Sequence, residues 1–239
     1  MRLYFIRHAQ SENNLLWEMN RASTGRHEDP GLTPLGLEQA KLLGAYLRDA
    51  RQEFPQDWEA DGRVGFEITH LYTSLMRRAL QTASAVSDAL GLEMIGRKDL
   101  HECGGIYVEN EETGSRDGLP GPTLAELKAD FPALILPGGD VHTGWWNRPY
   151  EERAERFPRA RGVIEAMIEN HGGTDDTVAV VMHGAFHNAL MTALLGLPED
   201  HIVWISMNNA AITSIDIRED SIGINYVNRT AFLPPEMIS

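Results

Sequence analysis

The sequence predicts an α/β fold with a doubly wound sheet that carries helices on both faces. Three stretches support this prediction, because in each a short apolar strand ends in polar residues and a helical pattern comes after it. The predicted strands cover residues 3–6, 67–72 and 177–182. The first strand ends in Arg7-His8 and the third in His183-Gly184. In a doubly wound sheet the carboxyl ends of the strands meet at one edge, where function is expected.

The first half of the chain predicts two helices, and an irregular connection lies before each of them in the sequence. Residues 15–32 contain Gly25, Pro30 and Gly31 and predict a loop that could line a site. Thr33 is the expected N-cap of a helix over residues 34–52, with Pro34 at its first position. Residues 51–65 predict a surface connection within one domain. Ser74 is the expected N-cap of the next helix.

The second half predicts an irregular insertion followed by the rest of the sheet. Residues 100–147 are rich in glycine and proline and predict one helix, over residues 123–131. A helix over 149–171 should be kinked or split by Pro158. Another helix is expected over 185–195. The remaining predicted strands cover residues 202–207, 211–217 and 222–227.

Composition limits the class of protein and its partners. The chain has 239 residues and is 42% hydrophobic, which is enough for one large domain or two small ones. Its formal net charge of −14 argues against nucleic acid or an anionic membrane as the main partner. Cys103 is the only cysteine, so no intramolecular disulfide can form. With no leader-like start and no membrane-length apolar run, we expect a soluble, cytoplasmic protein.

Histidines and arginines at the strand ends predict an anion site. His8 and His183 each end a strand, and Arg77-Arg78 follows a third strand at the start of a helix. Helix N-termini, arginines and histidines together suit a phosphoryl group, which carries about −1.5 to −2 charge. A histidine that is hydrogen-bonded at one ring nitrogen can attack phosphorus with the other. The pattern therefore favours phosphoryl transfer.

Several segments resemble the motifs of the histidine phosphatase superfamily, also called the phosphoglycerate mutase-like family. Residues 7–14 resemble its R-H-G-x-S-x-x-N signature, with Ala9 in place of glycine. The other matches, in chain order, are residues 29–40 with D-x-x-L-T-x-x-G-x-x-Q-A, 74–83 with S-x-x-x-R-A-x-Q-T-A, 100–102 with L-x-E, His183-Gly184 with the second histidine, and 228–230 with the closing segment. The resemblance implies a three-layer αβα sandwich with a mostly parallel sheet. It also implies a single domain over 1–239, with a lid-like insertion at about 104–148.

The resemblance also implies a role for each matched residue. His8 would be the nucleophile that becomes phosphohistidine, and Glu102 the acid that protonates the leaving oxygen and then activates water. Arg7, Arg78 and His183 would surround the phosphoryl oxygens. The expected phosphate- or substrate-binding residues are Asn14, Ser23, Thr24, Gly25 and Gly184. The expected partner is a small phosphorylated substrate, with no cofactor and no metal, and the oligomeric state is not predicted.

Three functions remain open from the sequence. A phosphatase is favoured over a mutase, because the family's mutases carry E-R-H-Y-G at the acid and an adjacent arginine pair further on. Here the acid segment is Glu102-Cys103-Gly104-Gly105, and the arginines between 104 and 160 are never adjacent. The third function is a non-catalytic protein that binds a phosphorylated ligand.

Some residues also have simpler interpretations. Glu109, Glu111 and Glu112 are alternative acids. His187 lies four residues after His183, a spacing that can bind metal, but we expect a packed residue there. Cys103 is expected to be a bystander, and Trp145 and Trp146 can be either buried support or part of a lid.

Overall fold

The computed structural model describes residues 1–21, 25–50, 66–110, 112–136, 138 and 142–239. Its centre is a seven-stranded sheet in the order β6-β3-β2-β7-β1-β8-β9. The first five of these strands are parallel, and β8 and β9 run antiparallel to their neighbours. The strands are β1 (Arg2–Arg7), β2 (His70–Ser74), β3 (Met94–Arg97), β6 (Leu134–Ile135), β7 (Thr177–Met182), β8 (Ile212–Ile217) and β9 (Ile222–Arg229).

Helices cover both faces of this sheet, so the predicted three-layer α/β architecture is confirmed. Along β1 the buried side chains alternate between two cores, with Tyr4 and Ile6 in one and Leu3 and Phe5 in the other. The first core contains α2 (Pro34–Asp49) and α3 (Arg77–Leu90), and the second contains α5 (Arg153–His171) and α6 (Gly184–Leu194). No described helix is long and apolar enough to span a bilayer.

Residues 104–148 contain a hairpin and a small helical unit. The hairpin pairs β4 (Tyr107–Glu109) with β5 (Arg116–Gly118). The predicted helix over 123–131 is present as α4 (Leu124–Asp130), with a capping box formed by Thr123 and Glu126. Leu134, on β6 beyond α4, packs into the first core. The expected lid function of this segment stays a prediction.

The prediction of a loop over residues 15–32 is wrong in its first part, because α1 (Glu12–Asn20) occupies it. Ser11 and Asn14 form a capping box, which supplies partners for otherwise unbonded amides at the helix start. The helix has no fully buried residue, and Trp17 and Met19 are exposed. It therefore lacks the apolar periodicity by which a helix is recognised in a sequence.

The predicted strand over 202–207 is absent. Ile202, Val203 and Trp204 are exposed, although the run is apolar. The amide of Ile205 donates to Asn188 Oδ1 at 2.7 Å instead of to a neighbouring strand. The strands predicted over 211–217 and 222–227 are confirmed as β8 and β9.

Four details of these elements also differ from the predictions. The strand predicted over 67–72 is β2, at His70–Ser74, because Glu67 has a left-handed backbone with φ of 49°. Ser74 still belongs to β2, and the N-cap of α3 is Met76. α5 continues through Pro158 as one helix and is not split. The helix predicted over 34–52 ends at Asp49, and residues 51 and 52 lie outside the described residues.

Candidate active site

His8 and His183 lie side by side at the carboxyl edge of the sheet. β1 and β7 are parallel neighbours, and Arg7 is in register with Met182. The residues that follow these two strands are therefore adjacent, and the ring centroids of His8 and His183 are 5.1 Å apart. Both rings are buried. The structure thus brings together the two histidines that the sequence placed at separate strand ends.

The hydrogen bonds of His8 leave the lone pair of its ring on Nε2. Nδ1 lies 2.7 Å from the carbonyl oxygen of Ala9, so Nδ1 carries the proton and donates it. Nε2 accepts a hydrogen bond from Arg78 Nε at 3.1 Å. Burial, followed by the charges of Arg78 and Arg7, holds the pKa of His8 well below its usual value. The ring is therefore neutral at physiological pH.

Arg78 is held beside His8 by a buried carboxylate. Asp29 Oδ1 lies 3.9 Å from Arg78 Nη1 and accepts a hydrogen bond from the amide of Arg77 at 3.0 Å. Burial lowers the pKa of Arg78, and the charges of Asp29 and Glu102 oppose this effect. Arg77 points elsewhere and pairs with Asp130 at the surface. Of the two adjacent arginines, Arg78 is therefore the one in the site.

Arg7 and His183 each present a buried nitrogen without a hydrogen-bond partner in the described part of the chain. These atoms are Arg7 Nε and His183 Nδ1. Other nitrogens of the same two side chains bond the protein and hold them in place. Arg7 Nη1 donates to the carbonyl of Met207, and His183 Nε2 bonds Ser74 Oγ at 2.9 Å. A Cβ on Gly184 would lie 3.4 Å from Arg7 Nε, so this glycine leaves room for the guanidinium.

Glu102 caps α6, the helix that follows His183. Its Oε1 accepts hydrogen bonds from the amides of Cys103 at 2.8 Å and Phe186 at 3.0 Å, and its Oε2 accepts one from Ala185 at 3.3 Å. Glu102 thereby supplies acceptors for amides at the start of α6 that have no partner within the helix. Its charge also acts on Arg7 and Arg78, which places it in the same charged cluster.

A buried ion pair fixes the loop that carries Glu102. Arg159 donates to both carboxylate oxygens of Glu151, at 2.6 and 2.7 Å. The same guanidinium donates to the carbonyls of Asp99 and His101, which precede Glu102 in the chain. After Glu102, the amide of Gly104 donates to the carboxylate of Glu151, and the amide of Glu151 donates to the carbonyl of Gly104. Neither Glu151 nor Arg159 was assigned a role from the sequence.

Gly104 and Gly105 allow the chain to turn away after the acid. Both have positive φ, at 96° and 79°. A Cβ on Gly105 would lie 2.0 Å from the ring of Trp146, and one on Gly104 would lie 2.6 Å from Tyr150. Glycine is therefore required at both positions. Trp145 and Trp146 are buried, as one of the two interpretations of the sequence predicted.

Polar side chains of the matched motifs hold the loop after His8. The amide of Ala9 donates to Thr82, and the amide of Gln10 donates to Gln39. Ala9 has no positive φ, so alanine fits without backbone strain where the family motif has glycine. Asn209 was missed in the sequence and donates to the carbonyl of His8 at 3.1 Å. No local pattern marks it, because it follows a stretch without regular structure.

A cavity of about 380 Å³ opens beside Arg78 and Glu102. Gly25, which the resemblance implies to be a substrate-binding residue, lines it, and so do Arg26, Glu109 and Tyr107. Asn13 also lines this cavity. Asn14 instead uses its Oδ1 to bond Ser11 and Asn209. The predicted Ser23 and Thr24 lie outside the described residues.

Among the residues with simpler interpretations, His187 lies outside the cavity, whereas Cys103 and Glu109 line it. His187 is buried and bonds Thr213 Oγ1 at 3.1 Å, and burial lowers its pKa to about 4. Burial and the charge of Glu102 raise the pKa of Cys103 to about 12, so its thiol is not a nucleophile. Glu109 pairs with Arg116, and Glu111 lies outside the described residues.

The sequence profile of the histidine phosphatase superfamily (branch 1) matches residues 3–230. The chain belongs to the histidine phosphatase superfamily. This confirms the predicted family and, with it, an enzyme of that family. A relative from Hydrogenobacter thermophilus that is named as a phosphoserine phosphatase is 27% identical over 95% of both chains. A relative from Yersinia pestis that is named as a phosphoglycerate mutase is 24% identical over 92% of this chain and 86% of its own.

Solved structures confirm the fold. A phosphoserine phosphatase mutant from Entamoeba histolytica, in complex with phosphoserine, superposes with a TM-score of 0.59 at 19% identity, covering 98% of this chain and 99% of the other. The α-ribazole phosphatase from Shigella flexneri superposes with a TM-score of 0.63 at 18% identity, covering 96% of each chain. The relatives thus include phosphatases as well as a mutase.

Proposed function

We propose that this protein hydrolyses small phosphomonoesters through a phosphohistidine formed on His8. The observation that carries the proposal is the set of nitrogens around His8. His8 Nε2 bears the lone pair, Arg78 donates towards it, and Arg7 Nε and His183 Nδ1 are buried without hydrogen-bond partners among the described residues. A phosphoryl group supplies the acceptor oxygens and negative charge that such a set requires.

The first chemical step transfers the phosphoryl group to the protein. His8 Nε2 attacks phosphorus and forms a P–N bond while the P–O bond to the leaving group breaks. Glu102 in its protonated form donates a proton to the leaving oxygen, so that an alcohol departs. Arg7 and Arg78 stabilise the charge on the remaining phosphoryl oxygens. The proton on His8 Nδ1 stays bonded to the carbonyl of Ala9.

The second step returns the enzyme to its starting state. Glu102, now a carboxylate, takes a proton from water, and the water oxygen attacks phosphorus. The P–N bond breaks, which releases inorganic phosphate and restores the lone pair on His8 Nε2. One carboxyl group thus serves as acid and then as base.

The cavity supports a small substrate that carries a second negative group. Arg26 lines this space and its charge reaches Arg78, and it forms no ion pair within the described residues. A carboxylate next to the phosphate would offset the positive charge of Arg26. Relatives named for phosphoserine and phosphoglycerate act on compounds of this class. The β4–β5 hairpin contributes Tyr107 and Glu109 to the wall and is our candidate for the part of the lid that selects substrate.

A mutase is the second candidate, and the arginines argue against it. A mutase must retain its phosphoglycerate, and the family's mutases do so with an adjacent arginine pair. In this chain the arginines between 104 and 160 bond protein groups, such as Arg148 to Glu155 and Arg156 to Tyr150. None of the described ones lines the cavity. Hydrolysis by water is therefore favoured.

The partner class, the cellular location, the domain organisation and the absence of a cofactor are also proposals. The net charge of −14 favours a small-molecule partner over nucleic acid or an anionic membrane. A single cysteine suits a reducing compartment, and we place the protein in the cytoplasm. We propose one domain over residues 1–239 and no cofactor.

Phosphate release from a panel of phosphorylated metabolites tests the function. The panel should pair carboxylated substrates, such as phosphoserine and 3-phosphoglycerate, with phosphoethanolamine and glycerol phosphate. His8→Ala serves as the blank. We expect release by the wild type only, with the carboxylated substrates preferred. Isomerisation of phosphoglycerate with a bisphosphoglycerate primer, without release, would identify a mutase, and inactivity on every substrate would favour a non-catalytic binding protein.

A further inference from the structure

A second cluster of ligand-type side chains lies at the opposite edge of the sheet from His8. It consists of His70 at the start of β2, His171 at the end of α5 and Asp176 just before β7. One donor atom from each lies within 4.8 Å of the other two. His171 Nδ1 and Asp176 Oδ2 are 2.9 Å apart, and the rings of His70 and His171 are 4.6 Å apart.

Both imidazoles also have hydrogen-bond partners outside the cluster. His171 Nε2 lies 3.0 Å from the hydroxyl of Tyr72. His70 Nδ1 lies 2.9 Å from Thr69 Oγ1, which itself bonds the backbone of Thr177. A metal-binding histidine usually donates its other ring N–H to such a partner, which fixes the orientation of the ring. With these outer bonds kept, the cation would be held by Nε2 of His70 and by Nδ1 of His171, which gives up its proton and its hydrogen bond to Asp176 Oδ2 when the metal binds.

We propose that His70, His171 and Asp176 form a binding site for a divalent transition metal, with Zn²⁺ as its best fit. Two imidazole nitrogens and one carboxylate are a common three-ligand set for zinc, with water in the fourth position. Donors around zinc lie about 2.0–2.2 Å from the metal, and so about 3.4 Å from one another in a tetrahedral site. The donor atoms lie within 4.8 Å of one another, so no pair has to close by more than about 1.4 Å, and His171 Nδ1 and Asp176 Oδ2, at 2.9 Å, have to separate by about 0.5 Å.

The position of the cluster indicates a structural role for the metal. His171 and Asp176 flank the turn that joins α5 to β7, and His70 belongs to the neighbouring strand β2. A bound cation would tie this turn to the sheet. The metal site is separate from the phosphoryl site, which lies at the carboxyl ends of the same strands. We therefore expect the metal to stabilise the folded protein and to have no role in hydrolysis.

Calorimetric titration with Zn²⁺ of chelator-treated protein tests the proposal. We expect one ion per chain, and a loss of affinity of about tenfold or more in both His70→Gln and Asp176→Asn. Asp175→Asn is the matched control, because Asp175 is an exposed neighbour outside the cluster. This control should keep the affinity of the wild type.

Thermal unfolding with and without Zn²⁺ gives a second readout. The metal should raise the midpoint of the wild type and of Asp175→Asn, and not that of the other two variants. The apo midpoints show whether each variant folds. No binding by the wild type at about 100 µM Zn²⁺, or binding that persists unchanged in both cluster variants, would overturn the site. Phosphatase activity should be the same with and without chelator.

Discussion

Arg159 and Glu151 form a buried ion pair that fixes the backbone on both sides of Glu102. The guanidinium reaches both carboxylate oxygens of Glu151 and the carbonyls of Asp99 and His101, and Glu151 holds Gly104. Buried pairs of this kind are weak evidence for added stability, but removal of one partner is costly. Their position here indicates that they hold the acid in place.

Arg159→Lys should therefore impair protonation of the leaving group more than substrate binding. Lysine keeps the charge but cannot make the four bonds of the guanidinium. We expect kcat to fall by about 10–100-fold with a smaller change in KM. The fall should be greater for alkyl phosphates than for p-nitrophenyl phosphate, whose leaving oxygen needs no proton.

The matched control is Arg161→Lys, because Arg161 lies on the same helix and pairs with Glu199 at the surface. It should keep the wild-type rate. Equal loss on both substrate types in Arg159→Lys would indicate a purely structural pair.

Glu102→Gln should separate the acid from its alternatives. Glutamine retains the shape of the side chain but cannot donate or take the proton. We expect hydrolysis of alkyl phosphates to fall by about 10²–10⁴-fold. Glu109→Gln, at another carboxylate of the cavity wall, is the control and should retain most of the activity. The reverse ranking would make Glu109 the acid.

Arg78→Ala and Arg77→Ala should differ sharply although the residues are adjacent. Arg78 is buried against His8, whereas Arg77 forms an exposed pair with Asp130. Loss of a donor that stabilises transition-state charge costs about 10²–10³-fold in kcat. Loss of an exposed ion pair costs little. Steady-state kinetics of both variants test this, and similar losses in the two would refute the assignment.

Acid should destabilise the fold partly through His187. Burial lowers its pKa to about 4, against about 6.5 in the unfolded chain. The unfolded state therefore binds the proton first, so the stabilisation is present above pH 6.5 and is lost as the pH falls from 6.5 towards 4. At pH 5 the loss amounts to about 2 kcal/mol.

Urea unfolding of the wild type and His187→Asn at pH 7 and pH 5 measures the contribution of His187 to the free energy of unfolding. The asparagine can still bond Thr213 but cannot titrate. The variant should lose about 2 kcal/mol less between the two pH values than the wild type. An identical pH dependence would mean that His187 does not contribute.

The strand ends were predictable because their chemistry is local in the sequence. β7 was predicted at its observed bounds, and Arg7, His8 and His183 lie at the strand ends where the apolar runs stop. The motif resemblance selected Arg78 from the Arg77-Arg78 pair and added Glu102. Both belong to one charged cluster with Arg7, although 71 and 95 residues separate them from it.

The supporting residues were not predictable, because their roles depend on tertiary contacts. Glu151 and Arg159 form an ordinary i,i+8 pair in an Arg- and Glu-rich stretch, and only the fold brings them to the acid loop. Asn209 likewise reaches His8 across the sheet. Residues 202–207 show the opposite error, in which an apolar run is exposed and forms no strand.

The central claim is that His8 carries the phosphoryl group. Rapid quench of the wild type and a phosphorus-labelled substrate in alkaline denaturant, followed by peptide mapping at alkaline pH, tests it most directly. We predict a label that is stable to alkali, that maps to His8 and that is absent from His8→Ala. A label that persists in His8→Ala, or hydrolysis by that variant at the wild-type rate, would contradict it.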